Sequence, residues 1–333
     1  MFDKKLALMY MIEIFQNKTD QDHLLTQKDI IDILDSEYNV SLERKTVGSN
    51  IELLINNDFD IVKNPTGGYY LNERKFTESE IKFLVDAVWS SKNIAAHQAK
   101  EISNKLNSYL SDYQKKIYGN IYKTTEFNKS GNNELFLNIE LINEAISKDK
   151  KICFNYLTYD KTGKLIERKN GRKYFLSPYY LINNSTKYYV LGAYKYNPKS
   201  AHFRIDLMRN VEVLDEARRP ITDVESLGSN FNINKYLNEH IYMFSGDVSL
   251  STIEILNPDN IDHPEGITYV KDWFGGNATI YEQDGKTYAK IKSNENAFFY
   301  WALQYQEHIK VLEPTSMVNR IVDSLKQNLN KYL

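Results

Sequence analysis

The first 55 residues carry apolar side chains at helical spacing in three stretches, which predict three helices. The first covers residues 4–16; the second begins after Thr26, a capping residue with Asp29 one turn on; the third begins after Ser41, another capping residue. The spacing assigns three buried faces: Leu6, Met9, Tyr10, Ile12 and Ile14; then Ile30, Ile31, Ile33 and Leu34; then Val47, Ile51, Leu54 and Ile55. A short turn joins the second and third helices, as in a helix-turn-helix.

A turn-rich segment, "FDIVKNPTGGYYLNE", follows the third helix and predicts two short strands around Pro65, Gly67 and Gly68. Residues 1–75 are therefore predicted to form a winged helix-turn-helix that binds double-stranded DNA. Its candidate DNA contacts are Arg44, Lys45, Thr46, Ser49 and Asn50 on the third helix and Lys63 on the wing. Such side chains can pair with base edges or phosphates, although a solvated helix face has the same composition.

Residues 76–132 are predicted to be a helical connector. Thr77 and Glu80 form a capping-box pattern at the start of its first helix, and a second helix is predicted over 96–110. The polar, glycine-containing stretch "NKSGNNE" (128–134) is typical of a domain boundary.

Residues 133–217 are rich in strand patterns. The stretch "LFLNIELINEAISKDK" is interpreted as a strand or extended entry followed by a helix, and four strand candidates come after it: "KICFNYLTYD", "YFLSPYYLINN", "KYYVLGAYK" and "AHFRIDLMRNVEVLD". One short helix followed by antiparallel strands indicates a small β-barrel. Strict alternation in the last strand separates two faces: Phe203, Ile205 and Leu207; and His202, Arg204, Asp206 and Met208.

Residues 218–333 contain three further strand candidates, "STIEILN", "NATIYEQDG" and "TYAKIKS", and a final helix pair. In the last helix, Met317, Ile321, Leu325 and Leu329 recur every four residues. These elements predict a compact βαβ-like sandwich. The chain as a whole is thus expected to be an α+β multidomain protein.

The composition is that of a folded, soluble protein, with 42% apolar and 26% charged residues. The absence of a long apolar run and of a signal-peptide pattern leads us to expect a cytoplasmic protein without membrane association. Cys153, the lone cysteine, lies in an apolar run and is expected to be a packed thiol. No zinc-ligand spacing is present, so no metal or other cofactor is expected.

Enzyme motifs are missing from the sequence. There is no phosphate-binding glycine loop, no G-x-S-x-G, no H-E-x-x-H and no Cys/His cluster. We therefore expect a binding protein rather than an enzyme.

Charge is distributed unevenly along the chain, although the total is only −2. Residues 1–75 hold nine Lys and Arg against thirteen Asp and Glu (net −4), whereas residues 148–219 hold sixteen against seven (net +9). In the basic segment, Lys173, Lys187, Arg204 and Arg209 are the candidate charges, and Tyr179, Tyr188 and Tyr189 the candidate stacking rings. Cations beside aromatic rings suit a nucleotide or a single nucleic-acid strand. Tyrosines in such strands also serve as core residues.

The motifs "SPYYL", "KYYVLGAY" and "HFRIDLM", followed by "YMFSG" and "VLEPTSMVNRIV", resemble those of the WYL-domain transcriptional regulators of bacteria and phages. The likeness spans nearly the whole chain. Tyr188, Tyr189 and Val190 match the family's Trp-Tyr-Leu triplet, of which the middle residue is retained. The family's F-R-x-D motif is intact as Phe203, Arg204 and Asp206.

Two positions depart from that family pattern. Leu207 occupies the place of an arginine that usually follows the aspartate, and Ser49-Asn50 occupies the place of an Arg-Asp pair that is frequent in the recognition helix.

The resemblance implies an Sm-like β-barrel as the sensing module, a C-terminal extension that helps dimerisation or modulates sensing, and control of DNA binding by a nucleic-acid or nucleotide ligand. The positions that it marks as sensing residues are Ser177, Tyr179, Tyr189 and Arg204. The resemblance and the charge pattern together give seven candidate ligand contacts: Ser177, Tyr179, Lys187, Tyr189, His202, Arg204 and Arg209.

The sequence therefore predicts a homodimeric DNA-binding regulator with a ligand-sensing domain over 133–217 and an extension over 218–333. The alternative is an accessory protein that binds single-stranded nucleic acid or an effector complex through the basic barrel. The acidic N-terminal segment favours that alternative.

Overall fold

The structure, a computed structural model, describes residues 6–117, 131–184, 187–194, 197–227, 231–258 and 265–333. The chain divides into two compact units, Met1–Asn133 and Glu134–Leu333. It combines helices with several β-sheets, which confirms the α+β class. None of the described helices is both long enough and apolar enough to cross a lipid bilayer.

Three helices and a β-hairpin open the N-terminal unit. They are α1 (Leu6–Lys18), α2 (Gln27–Tyr38), α3 (Arg44–Ile55), β1 (Ile61–Lys63) and β2 (Tyr69–Leu71). The strands pair antiparallel, with Ile61 opposite Leu71, as the turn-rich segment predicts. The predicted Thr26 cap is confirmed: its side chain accepts from the Asp29 amide, and the Asp29 carboxylate accepts from the Thr26 amide.

Two helix faces differ from the prediction. α1 buries Ala7, Met11, Ile14 and Phe15, whereas Met9 is 64% exposed. The segment "LALMYMIEIF" is apolar nearly all round, so spacing alone does not select its buried side. α3 begins after Glu43 rather than Ser41, without a side-chain cap, and Ile55 at its end is exposed.

The rest of the N-terminal unit is helical. It contains α4 (Glu78–Ser90), α5 (Ala96–Asn107) and α6 (Asp112–Ile117). The predicted capping box between Thr77 and Glu80 is confirmed, and Ile81, Val85 and Leu110 form the local core. Residues 128–130 of the predicted boundary stretch lie outside the described residues.

One helix and a six-stranded antiparallel sheet open the C-terminal unit. They are α7 (Leu135–Ser147), β3 (Lys150–Tyr159), β4 (Leu165–Glu167), β5 (Lys173–Asn184), β6 (Lys187–Tyr194), β7 (Ser200–Arg204) and β8 (Met208–Ala217). β3 pairs with β4, β5 and β8, and the sheet continues through β6 to β7. Among the described residues no backbone ladder joins β7 to β8, so this sheet is not closed.

Two local predictions in this region are wrong. The predicted extended entry before α7 is helical from Leu135 onward, and the buried side chains Asn138, Ile142 and Ala145 recur at helical spacing. The single strand predicted over 201–215 is two strands, β7 and β8, separated by a 3₁₀ turn at Ile205–Leu207. The turn ends the alternation because it buries Ile205 and its neighbour Asp206 together.

Aromatic side chains fill the interior of this sheet. The ring of Phe203 lies 5.3 Å from Phe154 and Tyr156 and 5.8 Å from Tyr174 and Tyr194, centroid to centroid. These spacings are typical of packed aromatic pairs. Tyr174 is therefore a core residue, the alternative that the sequence left open for the tyrosines, and Tyr194 packs against it while half-buried.

A second, four-stranded antiparallel sheet follows. The elements are α8 (Ile233–Glu239), β9 (Val248–Ile255), α9 (Glu265–Phe274), β10 (Ala278–Gln283), β11 (Lys286–Asn294), α10 (Glu295–Gln304), β12 (Ile309–Glu313) and α11 (Thr315–Leu329). The order β10-β11-β9-β12 contains two βαβ units, each with another strand between its own two, as in ferredoxin-like folds. The predicted βαβ-like arrangement occurs in this split form. Three of its elements, α8, α9 and β12, were not predicted from the sequence.

The core of this second sheet is built around Phe274, Phe298 and Trp301. α11 contributes Met317, which is buried, but Leu325 and Leu329 are 39% and 58% exposed. The predicted stripe of α11 is therefore buried only at its N-terminal end within the described structure.

Candidate nucleic-acid and effector interfaces

The first half of α3 presents polar side chains to solvent. Arg44, Lys45, Thr46 and Ser49 are exposed, and Arg44 Nε donates a hydrogen bond to Gln27 Oε1 (3.0 Å) on α2. Val47 is buried between them and fixes the orientation of the helix. Four of the predicted DNA contacts are therefore available on one helix.

The other two predicted DNA contacts differ from each other. Asn50 is half-buried and donates a hydrogen bond to Met11 Sδ (3.6 Å), so its amide is directed to the helix α1 side of the core. Lys63 is exposed at the end of β1, opposite Tyr69 in the hairpin. Asn50 is thus less accessible for a contact with base edges than its exposed neighbours on α3.

Arg204 and Asp206 form a two-pronged ion pair at the junction of β7 and the 3₁₀ turn. Arg204 Nε donates to Asp206 Oδ1 (3.1 Å), and Nη2 donates to Oδ2 (2.7 Å). The Asp206 side chain is 4% exposed and that of Arg204 32% exposed. Hydrogen bonding to Asp206 raises the pKa of Arg204. Arg204, a predicted ligand contact, is thus paired with Asp206 and remains partly exposed to solvent.

A second cation shares the same carboxylate. Lys187 Nζ lies 3.5 Å from Asp206 Oδ2, at the start of β6. Two positive groups surround one buried negative group, which leaves a single positive charge in excess. The sequence marked Asp206 as part of the F-R-x-D motif but gave it no role; its spacing of two from Arg204 was the available signal.

Two tyrosines flank this ion pair. The backbone amide of Arg204 donates to Tyr156 Oη (3.1 Å), and Tyr189 lies opposite Arg204 in the β6–β7 ladder. Burial raises the pKa of both phenols. Tyr156 was absent from the predicted site, and the 48 residues that separate it from Arg204 explain why no sequence signal connected them.

Ser177 and Tyr179 bind the chain that leaves β8 rather than facing an open surface. The Arg219 amide donates to Ser177 Oγ (3.0 Å), and Tyr179 Oη donates to the Arg219 carbonyl (2.7 Å). The Arg218 guanidinium lies 5.5 Å from the Tyr179 ring centroid. Tyr179 is 4% exposed, and its ring has no face free for stacking in this conformation.

His202 belongs to a buried polar cluster rather than a cationic face. Its Nε2 lies 2.9 Å from Tyr236 Oη, which is also 3.1 Å from Ser200 Oγ. The His240 ring stacks on Tyr236 at 4.0 Å. Burial lowers the pKa of His202 to about 3, so the imidazole is neutral near pH 7.

The last candidate, Arg209, lies on β8 and is 41% exposed, with Nε 3.9 Å from Glu134 Oε1. The structure therefore brings Lys187, Tyr189 and Arg204 together around Asp206. It assigns Ser177, Tyr179 and His202 to internal hydrogen bonds. Among the described residues, no three His, Cys, Asp or Glu side chains are arranged to hold a metal ion.

The sheet that carries this cluster matches a known domain family. The model of the WYL domain matches residues 138–213, a range that runs from α7 into β8. The chain contains a WYL domain. The resemblance drawn from "KYYVLGAY" and "HFRIDLM" is thereby confirmed, and the Arg204–Asp206 pair lies within the WYL domain.

Solved structures that are similar to the chain include two that cover 98% of it. One is proteasome accessory factor B/C (PafBC) of Arthrobacter aurescens, at 15% identity and a TM-score of 0.29, covering 98% of this chain and 48% of that one. The other is a CRISPR Cas-related protein, at 12% identity and a TM-score of 0.40, covering 98% of this chain and 91% of that one. This chain thus spans about half the length of the PafBC chain. No curated protein matches it in sequence.

Proposed function

We propose that the chain is a transcriptional regulator that binds double-stranded DNA through an N-terminal winged helix-turn-helix and responds to an effector through its WYL domain. It functions without catalysis, as a cytoplasmic homodimer. The observation that carries the proposal is the row of exposed polar side chains Arg44, Lys45, Thr46 and Ser49 on α3, with exposed Lys63 on the hairpin behind it.

The chemistry of that row fits duplex recognition. In helix-turn-helix proteins the N-terminal residues of the second helix contact base edges, and flanking cations contact phosphates. Arg44 and Lys45 can donate hydrogen bonds to guanine or to phosphate, and the Ser49 hydroxyl can donate to or accept from a base edge. A two-fold related operator would let a dimer double these contacts.

The effector is a nucleotide or a single nucleic-acid strand, bound where Lys187 and Arg204 surround Asp206. Asp206 uses two of the five guanidinium donors of Arg204, so the remaining donors can bind a phosphate on the exposed side. Tyr189 lies opposite Arg204 and supplies an aromatic ring beside that phosphate. The predicted Sm-like barrel would be the scaffold of this site. Effector binding would alter operator affinity if the two dimer arrangements differ in effector affinity.

The test is fluorescence anisotropy with labelled duplex DNA from upstream of the chain's own gene. We expect the double variant Arg44→Ala/Lys45→Ala to lose affinity at least about tenfold, and the salt dependence to become shallower by about 2 in slope, since each phosphate contact contributes about 0.9. Lys100→Ala/Lys105→Ala on α5 removes the same charge from the same unit and serves as the control. Absence of duplex binding by the unmodified chain at low salt would overturn the regulator proposal.

A second candidate is an accessory protein that binds single-stranded nucleic acid through the WYL domain. The net charge of −4 in residues 1–75 favours it, because most DNA-binding modules are basic. This candidate predicts that the chain binds single strands but not duplexes, and that Arg44→Ala/Lys45→Ala leaves this binding unchanged.

A further inference from the structure

The cations of the basic segment 148–219 fall into two groups. Ten of those that the structure describes bind a carboxylate or a backbone carbonyl: Lys148, Lys150, Lys151, Lys173, Lys187, Lys199, Arg204, Arg209, Arg218 and Arg219. Eight of these ten pair with a carboxylate, so most of the positive charge on the sheet itself is compensated locally.

The remaining described cations lie together on one hairpin. They are Lys161, Lys164, Arg168, Lys169 and Arg172, and all five are exposed. Their side chains form no ion pair or hydrogen bond with the residues that the structure describes. We call residues 160–172 the cationic arm; it contains the turn after β3, the strand β4 and the loop that leads into β5.

The cationic arm has a fixed backbone. At its tip, Asp160 Oδ1 accepts from the amides of Thr162 (2.8 Å) and Lys164 (2.9 Å), which closes the turn. At its base, Asn155 Nδ2 donates to the Gly171 carbonyl (2.8 Å). Gly171, with φ of +76°, follows two other residues of positive φ, so the loop reverses direction sharply. The five cations are thus displayed on an ordered support rather than on a free loop.

Two carboxylates belong to the arm, and neither forms an ion pair with its cations within the described residues. Asp160 accepts hydrogen bonds from the Thr162 hydroxyl and from the turn amides, and these bonds lower its pKa. Glu167 forms no ion pair with the described residues. The net charge of the arm is therefore +3 within 13 residues.

We propose that the cationic arm binds the sugar–phosphate backbone of duplex DNA, as a contact separate from α3. This inference rests on the proposed function, since it concerns the same DNA. Phosphate contacts supply most of the non-specific affinity of DNA-binding proteins, yet residues 1–75 carry a net charge of −4. A duplex-binding chain of this kind needs positive charge outside its helix-turn-helix, and the cationic arm provides five cations without an ion-pair partner among the described residues, at a net charge of +3.

The composition of the arm favours a duplex over a single strand. Residues 160–172 contain no aromatic side chain, and exposed Tyr159 borders them opposite Leu165, whereas single-strand sites combine cations with several rings on which successive bases stack. Contacts to the outside of a duplex need charge but no stacking surface. The arm fits the latter requirement.

The test compares the salt dependence of duplex binding by variants of the full chain. In the arm variant, Lys161, Lys164, Arg168, Lys169 and Arg172 are all changed to Gln. The control variant changes Lys286, Lys290, Lys310, Lys326 and Lys331 to Gln, which removes the same charge from exposed positions in the same unit. We expect the arm variant to bind the duplex at least about tenfold more weakly at low salt, with a slope shallower by about 0.9 for each phosphate that the arm no longer neutralises. The control variant should keep the slope of the unmodified chain.

Different failures remain distinguishable. If the unmodified chain does not bind duplex DNA, the proposed function fails. If it binds and the arm variant keeps the same slope, or the control variant weakens as much, only the arm assignment fails. A weakening confined to a single-stranded probe of the same sequence also overturns the duplex assignment. The smaller change Lys161→Gln/Lys164→Gln at the tip repeats the test in case the fivefold variant folds poorly.

Discussion

Arg204 and Asp206 face each other across a single intervening residue, with two N–H···O contacts of 3.1 and 2.7 Å. Arg204 ends β7, and Asp206 lies in the 3₁₀ turn that follows. In a regular strand, residues two apart share a face but point in parallel. The turn is what brings the carboxylate under the guanidinium, and the two charged residues of "HFRIDLM" thereby satisfy one another.

Replacement of Arg204 by alanine should destabilise the protein. As a free ligand-binding residue, Arg204 would be dispensable for stability, but its removal leaves Asp206, 4% exposed, with a weaker partner in Lys187. We expect the free energy of unfolding to fall by about 1.5–3 kcal/mol, as for hydrogen bonds to charged groups. Urea denaturation followed by circular dichroism measures this.

Arg209→Ala is the matched control for that experiment. Its pair with Glu134 is longer, at 3.9 Å, and more exposed, so its removal should change stability by less than about 0.5 kcal/mol. Equal stability of the Arg204→Ala and Arg209→Ala variants would contradict a structural role for the Arg204–Asp206 pair.

Acid should weaken the fold through His202. The unfolded chain takes up this proton near pH 6.5, whereas burial holds the pKa in the folded chain at about 3. Between these values the unfolded state binds more protons, so stability falls as the pH falls below 6.5 and the loss is complete near pH 3. The expected cost at pH 5 is about 2 kcal/mol.

His202→Gln isolates this contribution, because burial also lowers the pKa of the neighbouring His240. The difference in unfolding free energy between the parent chain and His202→Gln should shift in favour of the variant as the pH is lowered from about 7.5 to about 5. His97→Gln, on an exposed face of α5, is the control substitution. Parallel pH profiles of the parent and His202→Gln would refute the assignment.

Tyr179→Phe should cost stability and leave effector binding intact. The change removes one hydrogen bond to the Arg219 carbonyl, worth about 1 kcal/mol, and keeps the packed ring. Thermal unfolding and nucleotide titration check the two parts. Tyr180→Phe is the control, since that hydroxyl has no hydrogen-bond partner among the described residues. If Tyr179→Phe kept full stability but no longer bound the effector, Tyr179 would be a ligand contact rather than a structural residue.

Gly192→Ala should be poorly tolerated. A Cβ at this position of β6 would lie 2.5 Å from the Ser177 carbonyl oxygen and 2.7 Å from Leu176 Cγ, so the backbone of β5 would have to move. We expect a loss of about 1–3 kcal/mol or more, as in overpacked cores. Gly276→Ala, which meets no atom within 4 Å, should unfold at nearly the parent midpoint in the same urea titration. A Gly192→Ala midpoint equal to that of the parent would contradict this packing.

Local chemistry in the sequence was enough to predict several elements. Thr26 with Asp29 and Thr77 with Glu80 are pairs three residues apart, and both capping boxes are present. The wing hairpin and the strands β5 and β6 also follow from short patterns of apolar residues and turns. The WYL resemblance could be read from motifs for the same reason, because each motif is contiguous.

Tertiary structure decided what the functional side chains do. The family resemblance marked Ser177 and Tyr179 as sensing residues, but their partner Arg219 is some 40 residues away and is brought to them by the path of the chain after β8. The pKa of His202 is lowered by burial in the folded chain, where Tyr236, from α8, lies against it. Spacing predicts helices and caps because their hydrogen bonds are local, and hairpins because their two strands adjoin in sequence. The charge and exposure of a side chain depend instead on distant residues that only the folded chain brings into contact.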